Sequence, residues 1–221
     1  MHSFSLKGKL IPFLTHIQIK ESSEFMTQAR LPDLDLSTFS EKQAEVYKTI
    51  ENGPRGRVAG PLRIWMRNPE LAEHAQALGQ YARFDSCLPP RLSELAILVT
   101  ARYWSAQFEW VHHVPSAREA EIADDIINAI SYAKRPHFSD SSMQAVFNYC
   151  AELHRDKRVS DNNYENAISC LGTAGVIDLT AICGYYTLIS MTIKAFNIED
   201  ISDIILPDIT LDQSDYFLSD Y

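Results

Sequence analysis

Apolar residues recur at helical spacing over most of this chain. After Ser40, the segment E-K-Q-A-E-V-Y-K-T-I sets Ala44, Val46, Tyr47 and Ile50 near one side of a helix, with charge on the other. E-N-G-P-R-G-R-V-A-G-P then stops it, with three glycines and two prolines in eleven residues. Pro61 opens the next helix, where a missing N–H is harmless, and Asn68 caps another with Pro69 at its first position. R-L-S-E-L-A-I-L-V-T-A-R-Y-W is apolar almost all round, which predicts a helix buried on most of its sides. Ser105 is placed to cap the helix that follows, and Pro115 inside that helix predicts a kink that frees a carbonyl near His112. Further helices are predicted from Ile122 to Ala133, Ser139 to Asp156 and Ser160 to Ala195, the last broken near Gly172 to Gly175. No alternation is long enough for a strand. The class is all-α.

At 221 residues the chain is long enough for one domain with a real core. We read residues 1–25 as an extension, 26–200 as the helical domain and 201–221 as an acidic tail on the surface or on a neighbouring subunit. Pro12, His16 and Gln18 interrupt the apolar patch of the extension, which argues against a signal peptide, and Met26 reads as the start of the organised part. No wholly apolar run reaches the roughly 20 residues of a membrane span. The net charge of −9 argues against nucleic acid or an anionic membrane as partner, while leaving room for a small anionic substrate. Cys87, Cys150, Cys170 and Cys183 include no CxxC pair and read as small buried hydrophobes in a reducing, cytoplasmic setting.

The chemistry gathers in W-S-A-Q-F-E-W-V-H-H, residues Trp104 to His113. Glu109 and His113 stand four apart and share a helix face, so they can pass a proton or form a simple ion pair. Glu94 sits among Leu92, Leu95, Ala96, Ile97 and Leu98, where a carboxylate must find a partner; Arg91 and Arg102 are the nearest cations in sequence. Adjacent His112 and His113 point about 100° apart and H-E-x-x-H is absent, so no metal site is expected. Arg55 and Arg57 project from the glycine-rich turn and suit a carboxylate ligand or plain solvent.

L-P-P-R-L-S-E-L-A-I-L-V-T-A-R-Y-W-S-A-Q-F-E-W-V-H-H-V-P-S-A resembles the central motif of the carboxymuconolactone decarboxylase family, which also contains the alkyl hydroperoxidase D (AhpD) enzymes. G-P-R-G-R-V-A-G-P, the L-G-x-Y-x-R-F-D-S-x-L-P run and the late L-T-A-I-C-G-Y-Y-T-L-I-S-M-T-I-K-A-F are similar to one branch of it. The resemblance spans roughly Leu31 to Ile198. It implies an AhpD-like helical bundle assembled as a homo-oligomer, a trimer or hexamer. The family's peroxidases relay protons from a glutamate and a histidine to a CxxC pair. The relay positions fall here on Glu94 and His113, but the thiol positions fall on Ala106 and Glu109. Neither residue can replace a thiolate, so hydroperoxide reduction is the alternative reading, alongside a non-catalytic binder of small acids.

The branch without CxxC implies a cofactor-free lyase that decarboxylates a carboxylated lactone. His113 would then be the acid that reprotonates carbon, with Glu109 orienting it and Glu94 relaying a proton or holding it from behind. Arg55 or Arg57 would hold substrate carboxylates, with Trp104, Phe108 and Trp110 as apolar walls and His112 as a second donor.

Overall fold

Helix α4 (Pro90–Tyr103) is the axis of the molecule, because every residue from Leu92 to Tyr103 is buried. Leu95, Ala96, Ile97, Leu98 and Val99 have no exposed surface, so the helix needs neighbours on all sides and finds them in α5 (Gln107–Glu119), α6 (Asp124–Ser131), α7 (Ser141–Asp156) and α8 (Asp161–Phe196). Each of the Leu, Ile and Val side chains contributes about 1.5–3 kcal/mol of apolar transfer. The computed structural model describes residues 29–198 and 202–220; the expected extension over residues 1–25 lies outside the described residues. Among the described residues there are eight α-helices and no strand, only an isolated bridge between Arg135 and Asp220.

Local sequence sets most of the boundaries. Ser40 and Gln43 form a reciprocal capping box at the start of α1 (Glu41–Asn52). Pro61 opens α2 (Pro61–Trp65), and the Asn68 side chain accepts from Leu71 N at the head of α3 (Pro69–Gln80). Asp140 and Ser160 cap α7 and α8 in the same way. Gly172, at φ 70° and ψ 174°, breaks α8 within the predicted window and splits it into two helical pieces.

Two expectations fail. Ser105 does not cap α5; Ala106 is its N-cap, without a side-chain bond, and the Ser105 hydroxyl instead accepts from Arg102 Nη2 at 2.7 Å. Ser105 is left-handed at φ 48°, which lets the chain reverse within three residues between α4 and α5.

The acidic C-terminal stretch is the second. It is anchored in the bundle rather than lying free: most of its described residues stay exposed, but Leu206, Tyr216 and Phe217 are buried. Phe217 is fully buried, edge-on to Phe147, and its N–H reaches Ala133 O at 2.7 Å. Arg102 Nη1 donates to Pro207 O at 2.7 Å and to Ser131 O at 3.0 Å, so a buried guanidinium ties this stretch to α4 and α6. The composition suggested solvent because the stretch carries five aspartates and no lysine or arginine, but Leu206, Tyr216 and Phe217 are enough to anchor it.

By length and composition α8 could cross a membrane, although no wholly apolar run of that length is visible in sequence. Its inner face is buried against α4 and α7, the packing of a core helix.

Candidate active site

Two consecutive helices bring one buried imidazole and its two carboxylate partners together. α4 carries Glu94, α5 carries Glu109 and His113, and the packing of α4 on α5 places all three inside, each no more than 6% exposed. His113 Nδ1 lies 2.7 Å from Glu94 Oε2, and His113 Nε2 lies 3.6 Å from Glu109 Oε1. The Glu94 carboxylate accepts only, so the shorter contact fixes the proton on Nδ1 and leaves Nε2 turned towards Glu109. Neither Arg91 nor Arg102 is the partner of Glu94: Arg91 reaches Asp140 at 3.6 Å, and Arg102 is spent on carbonyls and Ser105.

Tyr186 on α8 closes the imidazole edge-on, with ring centroids 5.1 Å apart. Burial raises the Glu109 carboxyl above the usual range, against the pull of His113, His112, Arg83 and Arg55. Burial also lifts the Tyr186 hydroxyl well above its ordinary value, so it stays protonated.

Glu109 and His113 open onto a cavity of about 80 Å³, whose walls include Arg55, Arg57, Arg83, Phe108, His112 and Tyr185. One water needs about 10–15 Å³, so there is room for several waters or part of a small acid. The cationic rim comes from the Gly-rich turn (Arg55, Arg57) and from a single π-helical turn, Tyr81–Asp85, that extends α3 and carries Arg83. Such turns are frequent at functional sites. Arg55 Nη2 donates to the Tyr185 hydroxyl at 3.2 Å, and its Nε is buried with no hydrogen-bond partner.

Two glycines make the cavity possible. Gly79 sits where a Cβ would meet the Tyr185 oxygen at 2.0 Å and Arg55 Nη2 at 2.4 Å. Gly60 combines φ 52° with the Phe108 ring at 2.5 Å from where its Cβ would be. The Phe108 ring is thereby held against His112, stacked at 4.2 Å, while His112 Nδ1 contacts Phe108 O at 2.9 Å.

Of the residues singled out from sequence, Glu94, Glu109, His113, His112, Phe108, Arg55 and Arg57 meet around or directly behind this cavity. The two tryptophans do not. Trp110 is one position beyond Glu109 and therefore faces the other side of α5, into a groove with Val114, Ile127 and Ile204. Trp104 donates its indole N–H to Thr187 Oγ1 at 3.3 Å, off the cavity. Arg83, Tyr185 and Tyr186 were missed. Two adjacent tyrosines in an otherwise apolar helix were the available signal, since a buried hydroxyl needs a partner. No group of three or more His, Cys, Asp or Glu side chains among the described residues is placed to hold a metal ion. The two nitrogens of His113 face carboxylates on opposite sides, so the three groups do not converge on one point.

The sequence matches no protein-family profile and no curated protein. Solved structures do match. A protein of unknown function from Agrobacterium tumefaciens, provisionally named as the antioxidant defence protein AhpD, superposes with a TM-score of 0.57 at 16% identity, covering 66% of this chain and 100% of the other. An uncharacterized peroxidase-related protein from Silicibacter sp. TM1040 gives a TM-score of 0.61 at 14% identity, covering 81% of this chain and 97% of the other. The fold is AhpD-like. Ala106 and Glu109, the residues that the sequence resemblance sets at the thiol positions, are a fully buried side chain and a cavity wall residue.

Proposed function

We propose that this protein is a cofactor-free lyase that decarboxylates a small carboxylated lactone, 4-carboxymuconolactone or a related acid. The observation that carries the reading is the imidazole of His113 clamped between Glu94 and Glu109 at the foot of a cavity rimmed by three arginines. Loss of carbon dioxide leaves the bonding electrons on carbon as a delocalised enolate, and that carbon must then take a proton. The chemistry asks for cations at the carboxylate, a dry wall and an acid that still holds its proton near neutrality. Arg55, Arg57 and Arg83 supply the cations, and Phe108 with Tyr186 supplies the wall. The acid is the His113–Glu109 couple, because burial raises the hold of Glu109 on its proton and Nε2 of His113 is the nitrogen facing it. Glu94 acts through His113, holding Nδ1–H and with it the ring orientation.

The structural neighbours carry antioxidant and peroxidase-related names. Peroxide reduction at this site would need thiols at positions 106 and 109, where this chain has alanine and glutamate. Carbon dioxide release from 4-carboxymuconolactone, measured without added metal for wild type and His113→Ala, tests the reading. Turnover that falls about 10²–10⁴-fold in the variant supports it. No turnover in wild type removes this substrate and favours a binding role.

We place the homo-oligomer contact on the outer face of α8. Ile177, Ala181, Gly184, Leu188 and Met191 follow one another at spacings of 4, 3, 4 and 3 residues along the side turned away from the core.

A further inference from the structure

A second cluster of reactive side chains lies outside this cavity, between α7 and α8. The Sγ atoms of Cys150 and Cys183 are 3.4 Å apart, and both residues are buried. His154, one turn beyond Cys150 on α7, stacks on Tyr103 at 5.2 Å, and its Nε2 contacts Thr100 Oγ1 at 2.9 Å. Thr100 donates its own proton to Ala96 O at 2.8 Å, so its oxygen accepts from the imidazole. Two thiols, an imidazole and a hydroxyl thus share one enclosed site that the proposed lyase chemistry does not use. The other two cysteines, Cys87 and Cys170, are exposed.

We propose that Cys150 and Cys183 are a redox pair that closes reversibly to a disulfide bridging α7 and α8, with hydrogen peroxide or a similarly small hydroperoxide as oxidant. The sulfurs already face each other across the helix interface; bonding brings them from 3.4 Å to about 2.05 Å. The two thiols are not equivalent. Cys183 is held below the ordinary thiol value, first by its hydrogen bond with Cys150 and then by His154, against the opposing effect of burial. Cys150 is raised well above it, chiefly by burial. The His154 side chain interacts with Cys183 and not with Cys150, so the attack is assigned to Cys183 and the resolution to Cys150.

The steps balance. The Cys183 sulfur attacks the terminal peroxide oxygen, the O–O bond breaks, and the departing hydroxide takes a proton to leave as water. The Cys150 sulfur then attacks the Cys183 sulfenic acid, and the displaced hydroxyl leaves as a second water with the Cys150 proton. Two thiols and one hydrogen peroxide give one disulfide and two waters. A dithiol such as dithiothreitol restores the pair by exchange when the α7–α8 interface opens locally. Enclosure selects the oxidant, since a bulky disulfide cannot reach sulfurs with about 1% exposure or less.

The test uses the full chain with Cys87→Ser and Cys170→Ser, reduced and then titrated with hydrogen peroxide. The expected result is loss of both remaining thiols per chain for one equivalent of peroxide, a cross-linked peptide joining residues 150 and 183, and recovery of both thiols when dithiothreitol is added in mild urea, which opens the α7–α8 interface. Adding Cys150→Ser leaves a sulfenic acid on Cys183, which mass spectrometry reads as one added oxygen on the peptide that carries it. Should that variant fail to fold, the cross-linked peptide in the unsubstituted pair decides alone. Two thiols that remain titratable after peroxide treatment of the folded chain would overturn the proposal. So would a bridge that forms only in denaturant.

Discussion

His113 is bound not by Glu109, its neighbour one helical turn back, but by Glu94, which is 2.7 Å away from a different helix. The pair that the sequence makes obvious is the looser one at 3.6 Å, and the tighter one is tertiary. The imidazole is therefore oriented from behind by α4, while the nitrogen near the cavity is left for chemistry.

Glu94→Gln tests that orientation. The glutamine can offer an N–H to Nδ1, which moves the ring proton to Nε2 and inverts the tautomer facing Glu109. Carbon dioxide release is expected to drop about 10–100-fold, with nitrogen NMR showing the proton on Nε2. A variant with full activity and an unchanged tautomer would leave Glu94 a purely structural partner.

Glu109→Gln tests the buried carboxyl through stability. Because burial raises its pKa, the folded chain holds this proton where the unfolded chain has already released it. Stability attributable to the group therefore falls as pH rises from the unfolded towards the folded value, and above both the cost of the buried charge is fully present. The urea midpoint of Glu109→Gln should exceed that of wild type at about pH 8, and the gap should shrink as pH falls towards about 4. A gap that grows on acidification would mean that the charged form is the one the fold favours.

Gly79→Ala tests the cationic rim without touching a charged residue. The new methyl would lie 2.0 Å from the Tyr185 oxygen and 2.4 Å from Arg55 Nη2, so one of them must move. Overpacking of this kind costs about 1–3 kcal/mol. A displaced guanidinium should raise KM for the anionic substrate by about tenfold, with a smaller effect on kcat, because the proton donors on α5 stay in place. An unchanged KM would place the substrate carboxylate away from Arg55.

The helices were legible in the sequence because their caps are local: Ser40, Asn68, Asp140 and Ser160 each bond an amide within their own first turn. Burial of α4 was legible for a related reason, since a helix apolar on every side has only one stable location. Glu94, Glu109 and His113 stood out as polar groups in apolar surroundings. Arg83 did not, since a cation on a surface helix is ordinary, and only the π-helical turn aims it inward. Trp110 was misplaced because one residue on a helix is a 100° rotation, enough to move an aromatic from one side of α5 to the other. The Cys150–Cys183 contact could not be read from spacing, as it depends on how α7 lies against α8.

The outer face of α8 carries the last prediction. Ile177, Leu188 and Met191 are 63%, 38% and 49% exposed, and Gly184 between them faces open space. An exposed glycine inside a helix costs about 1 kcal/mol relative to alanine, which a monomer gains nothing from. A second copy changes that, because small residues at Ala181 and Gly184 let two α8 helices approach closely at the 4–3 spacing of a coiled-coil seam. Ile177→Arg with Met191→Arg puts repelling cations on that seam while leaving the core face intact. Sedimentation should then show a smaller assembly than wild type, with the helical circular dichroism unchanged. Gly184→Leu, which has room in the monomer, should weaken the assembly by bulk alone. A wild type that sediments as a monomer, or variants that keep its full mass, would move the contact off α8.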